Sequence, residues 1–517
     1  MASIETLPAD VLLYVFGYLD GKSLKNAALV CRFWNDVISG SSMITKNFAL
    51  NLSDATKWIT KFDEVMSLNR RFQSINIRLH STDSSDQRYV NETWTDNAIE
   101  LLLKIVGRHG TSVRRLVLQN GKFENADDFC SIFRCMPLLN ELIIIRLKVN
   151  VKDDFVNENS SMLSELNKLT VHTCNWNIFK LFMASPVKEL LIANKFTFVD
   201  DQQRSAYMNF LAAATKLESI EFDYASYGKT FRDEVDGNTS LKLQRLKYLS
   251  FSPVFEDDIN RNFGLFLESQ AASLTELDLN YTSSDIVKII FTKLKHLAKL
   301  RLNAVVLPTD AAFYGSFRLM SHLKHLNLHD DIPSDVCVKE ILMNCCNLET
   351  LSVMHDPGLY VSNLHAFMAA NTSMLKSLSL HALPTEISPE AKFNHLKFLH
   401  INSCPSYENL IKFLDNNDTI ETLSLTLNTE TVPDDTTLVA LLNRPNLVHL
   451  IVTSVFSELT AIYKKIKLDY QKLRSLELRM VGTNDCVFIR FPNDKSKWQP
   501  KQLKMFLEDG KMKLILL

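Results

Sequence analysis

Glycine and metal-binding residue pairs are what this sequence lacks most clearly. Only 13 of its 517 residues are glycine. We find no phosphate-binding glycine loop, no dinucleotide-binding glycine pattern, no G-x-S-x-G nucleophile motif and no H-E-x-x-H metal motif. The cysteines that lie near each other, Cys130 with Cys135 and Cys345 with Cys346, have no histidine partner at zinc-finger spacing. We therefore expect no catalytic residue, no cofactor and no metal.

The chain also lacks an excess of charge and a long apolar run. Lys and Arg number 57 and Asp and Glu 59, a net charge of -2, which removes the bulk electrostatic argument for nucleic-acid binding. The apolar stretch from Val11 to Leu19 is too short to span a bilayer and has no basic segment before it. The nine cysteines are scattered and odd in number, which is typical of reduced thiols. We expect a cytoplasmic or nuclear protein with no nucleic-acid and no membrane partner.

One short pattern, L-x-x-L-x-L with other aliphatic residues or Phe in place of Leu, recurs through most of the chain. It begins at Phe72, Val113, Leu139, Leu166, Val187, Leu217, Leu246, Leu274, Leu297, Leu323, Leu348, Leu375, Leu396, Ile420, Leu447 and Leu473. From Val113 onward the spacing is 21 to 30 residues. The L-x-L half predicts a short strand with one buried face, and helical spacing between strands predicts helices. Each unit must then stack on its neighbours, because it cannot bury its own apolar face.

Residues 48–517 therefore resemble leucine-rich-repeat proteins of the strand–helix type. The resemblance implies an α/β fold: a right-handed solenoid with parallel strands on the concave face and helices on the convex face. In this family an Asn or Cys after the strand usually satisfies backbone groups of the loop, and Cys174 stands at such a position. The alternative, an ordinary α/β core, is disfavoured by so many units in register. We assign residues 47–517 to a repeat domain of about 16 divergent units.

Residues 7–38 do not follow the repeat. Leu7-Pro8 predicts a helix start. One helical stripe then carries five apolar residues: Val11, Leu12, Val15, Phe16 and Leu19. Leu24 belongs to a second predicted helix, and residues 31–38 belong to a third. Three helices in about 40 residues rarely hold a stable core alone, so the segment either packs on the repeats or offers apolar surface to a partner.

This segment resembles an F-box over residues 4–46, above all in LVCRFW at 29–34. The resemblance implies that residues 1–46 dock on a Skp-type adaptor and, through it, on a cullin–RING ubiquitin ligase. The implied adaptor-binding residues are Leu7, Pro8, Val11, Leu12, Val15, Phe16, Leu19 and Leu24. We expect Leu12 and Phe16, one turn apart, to lie on an exposed stripe. The alternative is a helical cap on the first repeat.

Together the two resemblances imply the substrate-recognition subunit of an SCF (Skp–cullin–F-box) ubiquitin ligase. Such a subunit holds a protein substrate for ubiquitination and proteasomal degradation and does no chemistry of its own. A second interpretation is a binding scaffold that engages the adaptor without delivering a substrate. A third is an enzyme hidden in the divergent repeats, which the missing motifs disfavour. The sequence alone does not separate the first two.

The substrate would meet the residues between the motif leucines, because the leucines themselves point into the core. The candidate substrate-binding set is Glu221, Asp223, Tyr248, Glu276, Asp278, Lys299 and Arg301. Like charges on adjacent strands repel and are normally avoided, so we expect the acidic members to bind a basic segment of the substrate. Five histidines follow and are a weak metal candidate: His325, His329, His381, His400 and His449. The alternative is that all of these positions are merely solvated.

Overall fold

The structure is a computed structural model in which two compact units, Met1–Ser250 and Phe251–Leu517, are distinguished. It describes residues 7–19, 21–41, 49–52, 59–68, 72–78, 96–152, 163–193, 201–223, 226, 230–231, 242–249, 257–280, 283–303, 311–317, 319–329, 341–354, 374–383, 392–404, 406–427, 437, 440–441, 444–454, 474–480, 486–490, 503–508 and 511–516. Within those ranges no helix is long and apolar enough to cross a membrane. The predicted domain boundary between residues 46 and 47 stays a prediction.

The first unit begins with three short helices: α1 (Ala9–Phe16), α2 (Gly21–Ala28) and α3 (Arg32–Gly40). Helix α1 starts directly after Pro8, where the missing N–H of proline costs nothing. At the start of α3, the Cys31 thiol accepts a hydrogen bond from the Trp34 backbone N–H at 3.5 Å. These local signals produce the predicted three-helix segment.

Eight strands follow in the first unit, each parallel to the next. They are β1 (Ala49–Leu52), β2 (Ser74–Arg78), β3 (Arg115–Phe123), β4 (Glu141–Val149), β5 (Lys168–His172), β6 (Glu189–Ala193), β7 (Ser219–Asp223) and β8 (Arg245–Leu249). The connecting helices are α4 (Phe62–Ser67), α5 (Asp96–His109), α6 (Ala126–Arg134) and α7 (Asp201–Ala213), with 3₁₀ turns at Gly110–Ser112 and Trp176–Phe182. Parallel strands joined by helical segments are the predicted repeat unit.

The second unit has nine parallel strands. They are β9 (Glu276–Leu279), β10 (Lys299–Asn303), β11 (His325–His329), β12 (Thr350–Met354), β13 (Ser377–Ala382), β14 (Phe398–Ser403), β15 (Thr422–Thr426), β16 (His449–Ser454) and β17 (Ser475–Met480). Its helices are α8 (Asp257–Ser269), α9 (Ser284–Lys293), α10 (Ala311–Tyr314) and α11 (Tyr407–Asn416). Strand β18 (Cys486–Arg490) runs antiparallel to β17, and β19 (Leu503–Glu508) pairs antiparallel with β20 (Lys511–Leu516).

The burial of the strands confirms the predicted leucine-rich-repeat fold. In the repeat that begins at Leu323, that residue, Leu326 and Leu328 are all buried. Leu326 lies in register with Leu351 of β12, which lies in register with Leu378 of β13, so the motif leucines stack into one core. The residues between them lie on the opposite strand face, which we call the open face.

One repeat begins three residues earlier than predicted. Strand pairing places Leu246 beside Ile220 and Tyr248 beside the buried Phe222, so the unit starts at the buried Leu243 rather than at Leu246. A start at Leu243 and a start at Leu246 both fit the pattern in sequence, and only the pairing of β8 with β7 distinguishes them. Tyr248 is therefore in register with a buried residue of β7, whereas we predicted an open-face position for it.

Cys174 has the predicted role in its loop. Its buried sulfur accepts the Leu147 backbone N–H at 3.5 Å, and its thiol donates to the His172 carbonyl at 3.4 Å. The next residue, Asn175, adds an amide pairing that the sequence analysis missed. Its Oδ1 accepts from the Val149 N–H at 3.0 Å and its Nδ2 donates to the Val149 carbonyl at 2.9 Å. These bonds satisfy backbone groups where the strand ends.

Candidate functional site

The three N-terminal helices share a small apolar core. Leu12, Phe16, Leu24 and Ile38 are at most 1% exposed. The rings of Phe16 and Trp34 meet edge to face, with centroids 5.1 Å apart. The most apolar residues of this segment therefore hold α1, α2 and α3 together.

This burial corrects the prediction that Leu12 and Phe16 form an exposed stripe. Residues four apart on α1 share a face, and the face that carries these two turns inward towards Trp34 of α3. Leu24 of α2 is buried in the same way. None of the three is placed to contact an adaptor directly while the domain is folded. These three residues fix the positions of the helices relative to one another.

The other five predicted adaptor residues remain accessible. Pro8, Val11 and Val15 are exposed, and Leu7 and Leu19 are partly exposed. Val11 and Val15 lie one turn apart, so they form a continuous apolar row on the outer side of α1. The predicted stripe was therefore two rows, of which only one is accessible.

The sequence analysis missed a pair of tyrosines beside this row. Tyr14 and Tyr18 are 68% and 71% exposed, their rings lie 5.2 Å apart, and their hydroxyls are hydrogen-bonded at 2.7 Å. That hydrogen bond raises the pKa of Tyr18. Their spacing of four residues was a readable signal, but tyrosine was not counted with the apolar stripe.

Three further apolar side chains are exposed at the turn from α2 into α3: Leu29, Val30 and Phe33. With Val11, Tyr14, Val15 and Tyr18 they make seven of the twelve exposed large apolar side chains found in the described residues. We call these seven the apolar docking surface. The other five are dispersed through the rest of the chain: Leu138, Leu265, Leu319, Met343 and Met374. Exposed large apolar side chains are therefore concentrated in the three N-terminal helices and the turns beside them.

Residues 4–47 match the protein family described as F-box-like. The three helices are an F-box-like domain. No curated protein matches the chain. Among solved structures, the chain is similar to the leucine-rich repeat-containing protein LegL7 from Legionella pneumophila, at 15% identity over 49% of this chain and 90% of that one, with a TM-score of 0.27. It is also similar to the leucine-rich repeat domain of APL1B, at 13% identity over 88% and 96%, with a TM-score of 0.23. The repeat fold assigned above rests on strand pairing and burial, not on these distant likenesses.

The acidic residues predicted to bind a substrate are divided between the two compact units. In the first unit, Glu221 and Asp223 lie on the open face of β7. Glu221 is in register with Lys247 of β8, and Asp223 Oδ1 accepts the Ser226 backbone N–H at 2.9 Å. Each acidic residue of β7 therefore has either a basic neighbour in register or a local hydrogen bond.

In the second unit the structure brings opposite charges together. Glu276 and Asp278 of β9 are in register with Lys299 and Arg301 of β10. Arg301 Nε lies 3.9 Å from Asp278 Oδ1. The two cations of the candidate substrate-binding set are thus the neighbours of the acidic residues of β9. The acidic binding set stays a prediction, and in this unit the adjacent cations weaken its negative field.

Three histidines on the open face of the second unit, His381, His400 and His449, form hydrogen bonds to the next strand, and His381 Nδ1 accepts from Asn402 Nδ2 at 3.3 Å. His400 Nδ1 lies 2.8 Å from the Ser424 hydroxyl, and His449 Nδ1 is hydrogen-bonded to the Ser475 hydroxyl. Burial and the nearby Arg479 lower the pKa of His400, and the bond to Ser424 partly offsets them. Within the described residues no three His, Cys, Asp or Glu side chains are grouped so as to hold a metal ion. The arrangement is suited to hydrogen bonding with a ligand.

A row of charged residues stands immediately before the strands of the second unit. The Glu349 carboxylate lies 2.9 Å from Lys324 Nζ and 2.7 Å from Lys376 Nζ. Hydrogen bonds from these two ammonium groups lower the pKa of Glu349 to about 2. Lys397 and Glu421 pair at 2.8 Å in the same row. One carboxylate between two ammonium groups leaves a positive charge uncompensated.

Proposed function

We propose that this protein is the substrate-recognition subunit of an SCF-type ubiquitin ligase. Its F-box-like domain would bind a Skp-type adaptor and, through it, a cullin–RING ligase. The single observation that supports this proposal is the apolar docking surface on α1 and the α2–α3 turn. Full burial of one large apolar side chain contributes about 1.5–3 kcal/mol, so a few such residues account for a stable complex.

The repeats would supply the surface that holds the protein substrate. Their strands already bury the motif leucines, so the open faces are available for specific polar contacts. Among the predicted substrate residues, those on β7, β9 and β10 lie on these faces, whereas Tyr248 of β8 is in register with the buried Phe222. Ubiquitination would then follow from proximity, since the ligase would bring its reactive partner to a bound substrate.

We assign no chemical step to this chain. Burial raises the pKa of the Cys174 and Cys404 thiols to about 12, so neither is a thiolate nucleophile at neutral pH. In this proposal the protein works in the cytoplasm or nucleus, where its substrates would be directed to proteasomal degradation.

The proposal is tested by affinity purification of the full chain from cells, with cullin neddylation either active or blocked. We expect adaptor and cullin to co-purify in both conditions, and substrates to accumulate on the protein when the ligase is inactive. If adaptor and cullin do not co-purify, the proposal fails. If they co-purify but no partner accumulates, the protein is instead a scaffold that engages the adaptor without delivering a substrate.

A further inference from the structure

The open face of strands β11 to β16 has an unusual composition. Three positions on each of these six strands alternate with the buried residues, and strand pairing aligns them in three rows. The eighteen residues are His325, Asn327, His329, Thr350, Ser352, Met354, Ser377, Ser379, His381, Phe398, His400, Asn402, Thr422, Ser424, Thr426, His449, Ile451 and Thr453. We call this set the β11–β16 face.

The β11–β16 face carries no Asp, Glu, Lys or Arg. Charged residues make up 22% of the chain, so about four would be expected among eighteen positions. Eight positions are Ser or Thr and five are His. The open face of β3 to β6 in the first unit differs, because its first row alternates in charge: Arg115, Glu141, Lys168 and Glu189. The β11–β16 face is therefore a hydrogen-bonding surface whose charge depends on its histidines.

The hydrogen bonds of two of these histidines show how protonation would act. His400 and His449 both use Nδ1 towards a serine on the next strand, a bond that does not engage Nε2. When an imidazole is protonated, both ring nitrogens donate hydrogen bonds. Nδ1 then donates to the serine oxygen, and Nε2 becomes a positively charged donor for a ligand. Below neutral pH the face thus gains several charged donors and still has no carboxylate.

The charged side chains around the β11–β16 face are mostly basic. They are the charged residues on the flanking strands β9, β10 and β17, together with any charged residue that immediately precedes the first residue of a strand. The basic ones whose side chains the structure describes are Lys299, Arg301, Lys324, Lys376, Lys397, Arg474 and Arg479. The acidic ones are Glu276, Asp278, Glu349, Glu421 and Glu477. These described border residues therefore carry a net positive charge even when every histidine is neutral, and this charge favours an anionic partner.

We propose that the β11–β16 face binds an extended, carboxylate-rich segment of the protein substrate. The proposal rests on the proposed function and names the chemical class of segment that one face of the receptor would recognise. Six strands about 4.8 Å apart span about 24 Å, the length of about seven extended residues. Segment carboxylates would accept hydrogen bonds from the histidine and hydroxyl groups, with the border cations at the ends.

Binding of a carboxylate-rich segment should depend on pH in one direction only. Ordinary histidines become protonated as pH falls through about 6.5, whereas Asp and Glu side chains stay ionised down to about pH 4.5. Binding should therefore tighten between pH 7.5 and pH 6. A single exposed ion pair contributes little, so several histidines together should give roughly tenfold tighter binding. His400 should respond last, because burial lowers its pKa.

The test measures fluorescence anisotropy of labelled octapeptides with the full chain. An octaglutamate peptide is compared with octaglutamine and octalysine at pH 7.5 and pH 6.0. We expect octaglutamate to bind most tightly and to gain about tenfold in affinity at the lower pH. Equal binding of octaglutamine, tighter binding of octalysine, or no pH dependence would overturn the proposal. A phosphoserine peptide that binds where octaglutamate does not would overturn the carboxylate occupant.

The variant for this test combines His325→Asn, His381→Asn and His449→Asn, which keep polar side chains but cannot become charged. We expect it to lose most of the pH dependence, because only His329 and His400 remain on the face, and to melt near the wild-type temperature. The matched control is His172→Asn on the open face of β5 in the first unit, which should change nothing. Adaptor binding is measured separately. If the chain binds octaglutamate but not the adaptor, only the proposed function is refuted. If it binds the adaptor but not octaglutamate, only this inference is refuted.

Discussion

In the F-box-like domain, α1 and the turn after it expose Tyr14 and Tyr18 to solvent, and α1 buries Leu12 and Phe16 on its other side. In the repeats, a strand such as β11 buries its leucines and shows polar residues on its open face. The domain thus leaves large apolar side chains in water, while each repeat hides its own against the neighbouring unit. The difference follows from size, since three short helices enclose too small a core to cover all of their apolar residues.

The comparison teaches what an exposed apolar residue means in each setting. Inside the repeat array, a unit that cannot bury its own leucines is completed by the next unit along the chain. For the F-box-like domain the same need points to a separate protein. An adaptor would then cover the exposed apolar row of α1, just as the repeat of β12 covers the apolar residues of the repeat of β11.

The largest expected effect concerns the core of the repeats. Leu378 is fully buried in β13, so Leu378→Ala should lower the free energy of unfolding by about 2–5 kcal/mol through lost packing and a residual cavity. Chemical denaturation of the purified chain measures it. The control is Ser379→Ala at the adjacent, partly exposed position, which should cost little. Equal shifts of the two unfolding midpoints would mean that the strand faces are assigned the wrong way round.

The next effect separates the two sides of α1. Val15→Asp with Tyr18→Asp should weaken adaptor binding by about a hundredfold, because both exposed side chains would carry charge into an apolar interface. Calorimetric titration with a Skp-type adaptor measures the affinity, and circular dichroism checks that the helices are retained. Asn26→Asp, at an exposed polar position of α2, adds charge without removing an apolar contact and should bind as wild type.

The buried side of α1 gives the matching experiment. Leu12→Asp should unfold the three helices and abolish binding together, since it places a charge in their core. If Leu12→Asp left the helices folded and only weakened binding, or if the Val15 and Tyr18 double variant bound at the wild-type affinity, the division of α1 into an inner and an outer side would be refuted.

The strand faces were predictable from sequence because the side chains of a strand alternate with a period of two. Once Leu326 and Leu328 are recognised as motif residues, Asn327 must lie on the open face. The charge pairing was open to prediction in the same way, since aligning the repeats that start at Leu274 and Leu297 places Asp278 beside Arg301. The sequence analysis placed Lys299 and Arg301 in the same candidate set as the acidic residues but did not predict that the two signs of charge are in register.

Helix faces and ambiguous repeats were harder to predict, for physical reasons. Five apolar residues on α1 form a stripe wide enough for two rows, and sequence does not show which row meets α3. The repeat motif of β8 can be read from Leu243 or from Leu246, because both starts satisfy the same pattern. Only the pairing of β8 with β7 shows that the repeat starts at Leu243. The antiparallel strands β18 to β20 follow no repeat motif, so nothing in the sequence analysis indicated them.

A smaller effect is expected where Asn175 supports the loop of its repeat. Asn175→Ala would remove the partners of both the N–H and the carbonyl of Val149, at a cost of about 1–3 kcal/mol in the free energy of unfolding. The control is Asn167→Ala, which removes one exposed hydrogen bond to the Glu165 carbonyl. Denaturation midpoints that shift equally for the two variants would contradict a supporting role for Asn175. Adaptor affinity should be unchanged in both, because neither residue belongs to the F-box-like domain.

The smallest effect concerns Glu349, whose pKa is lowered to about 2 by Lys376 and Lys324. A carboxyl with a lowered folded-state pKa stabilises the fold above its unfolded pKa of about 4.3, and this stabilisation is lost as pH falls through about 2. The melting temperature of wild type should therefore decline between pH 5 and pH 2 more steeply than that of Glu349→Gln.

The control is Glu408→Gln, because Glu408 on α11 pairs with one lysine, Lys412. Both lysines beside Glu349 are more than half exposed, so solvent screening keeps the effect small. Indistinguishable slopes for wild type and Glu349→Gln would show that the charged row contributes nothing measurable, and the stability of the repeats would then rest on their apolar core alone.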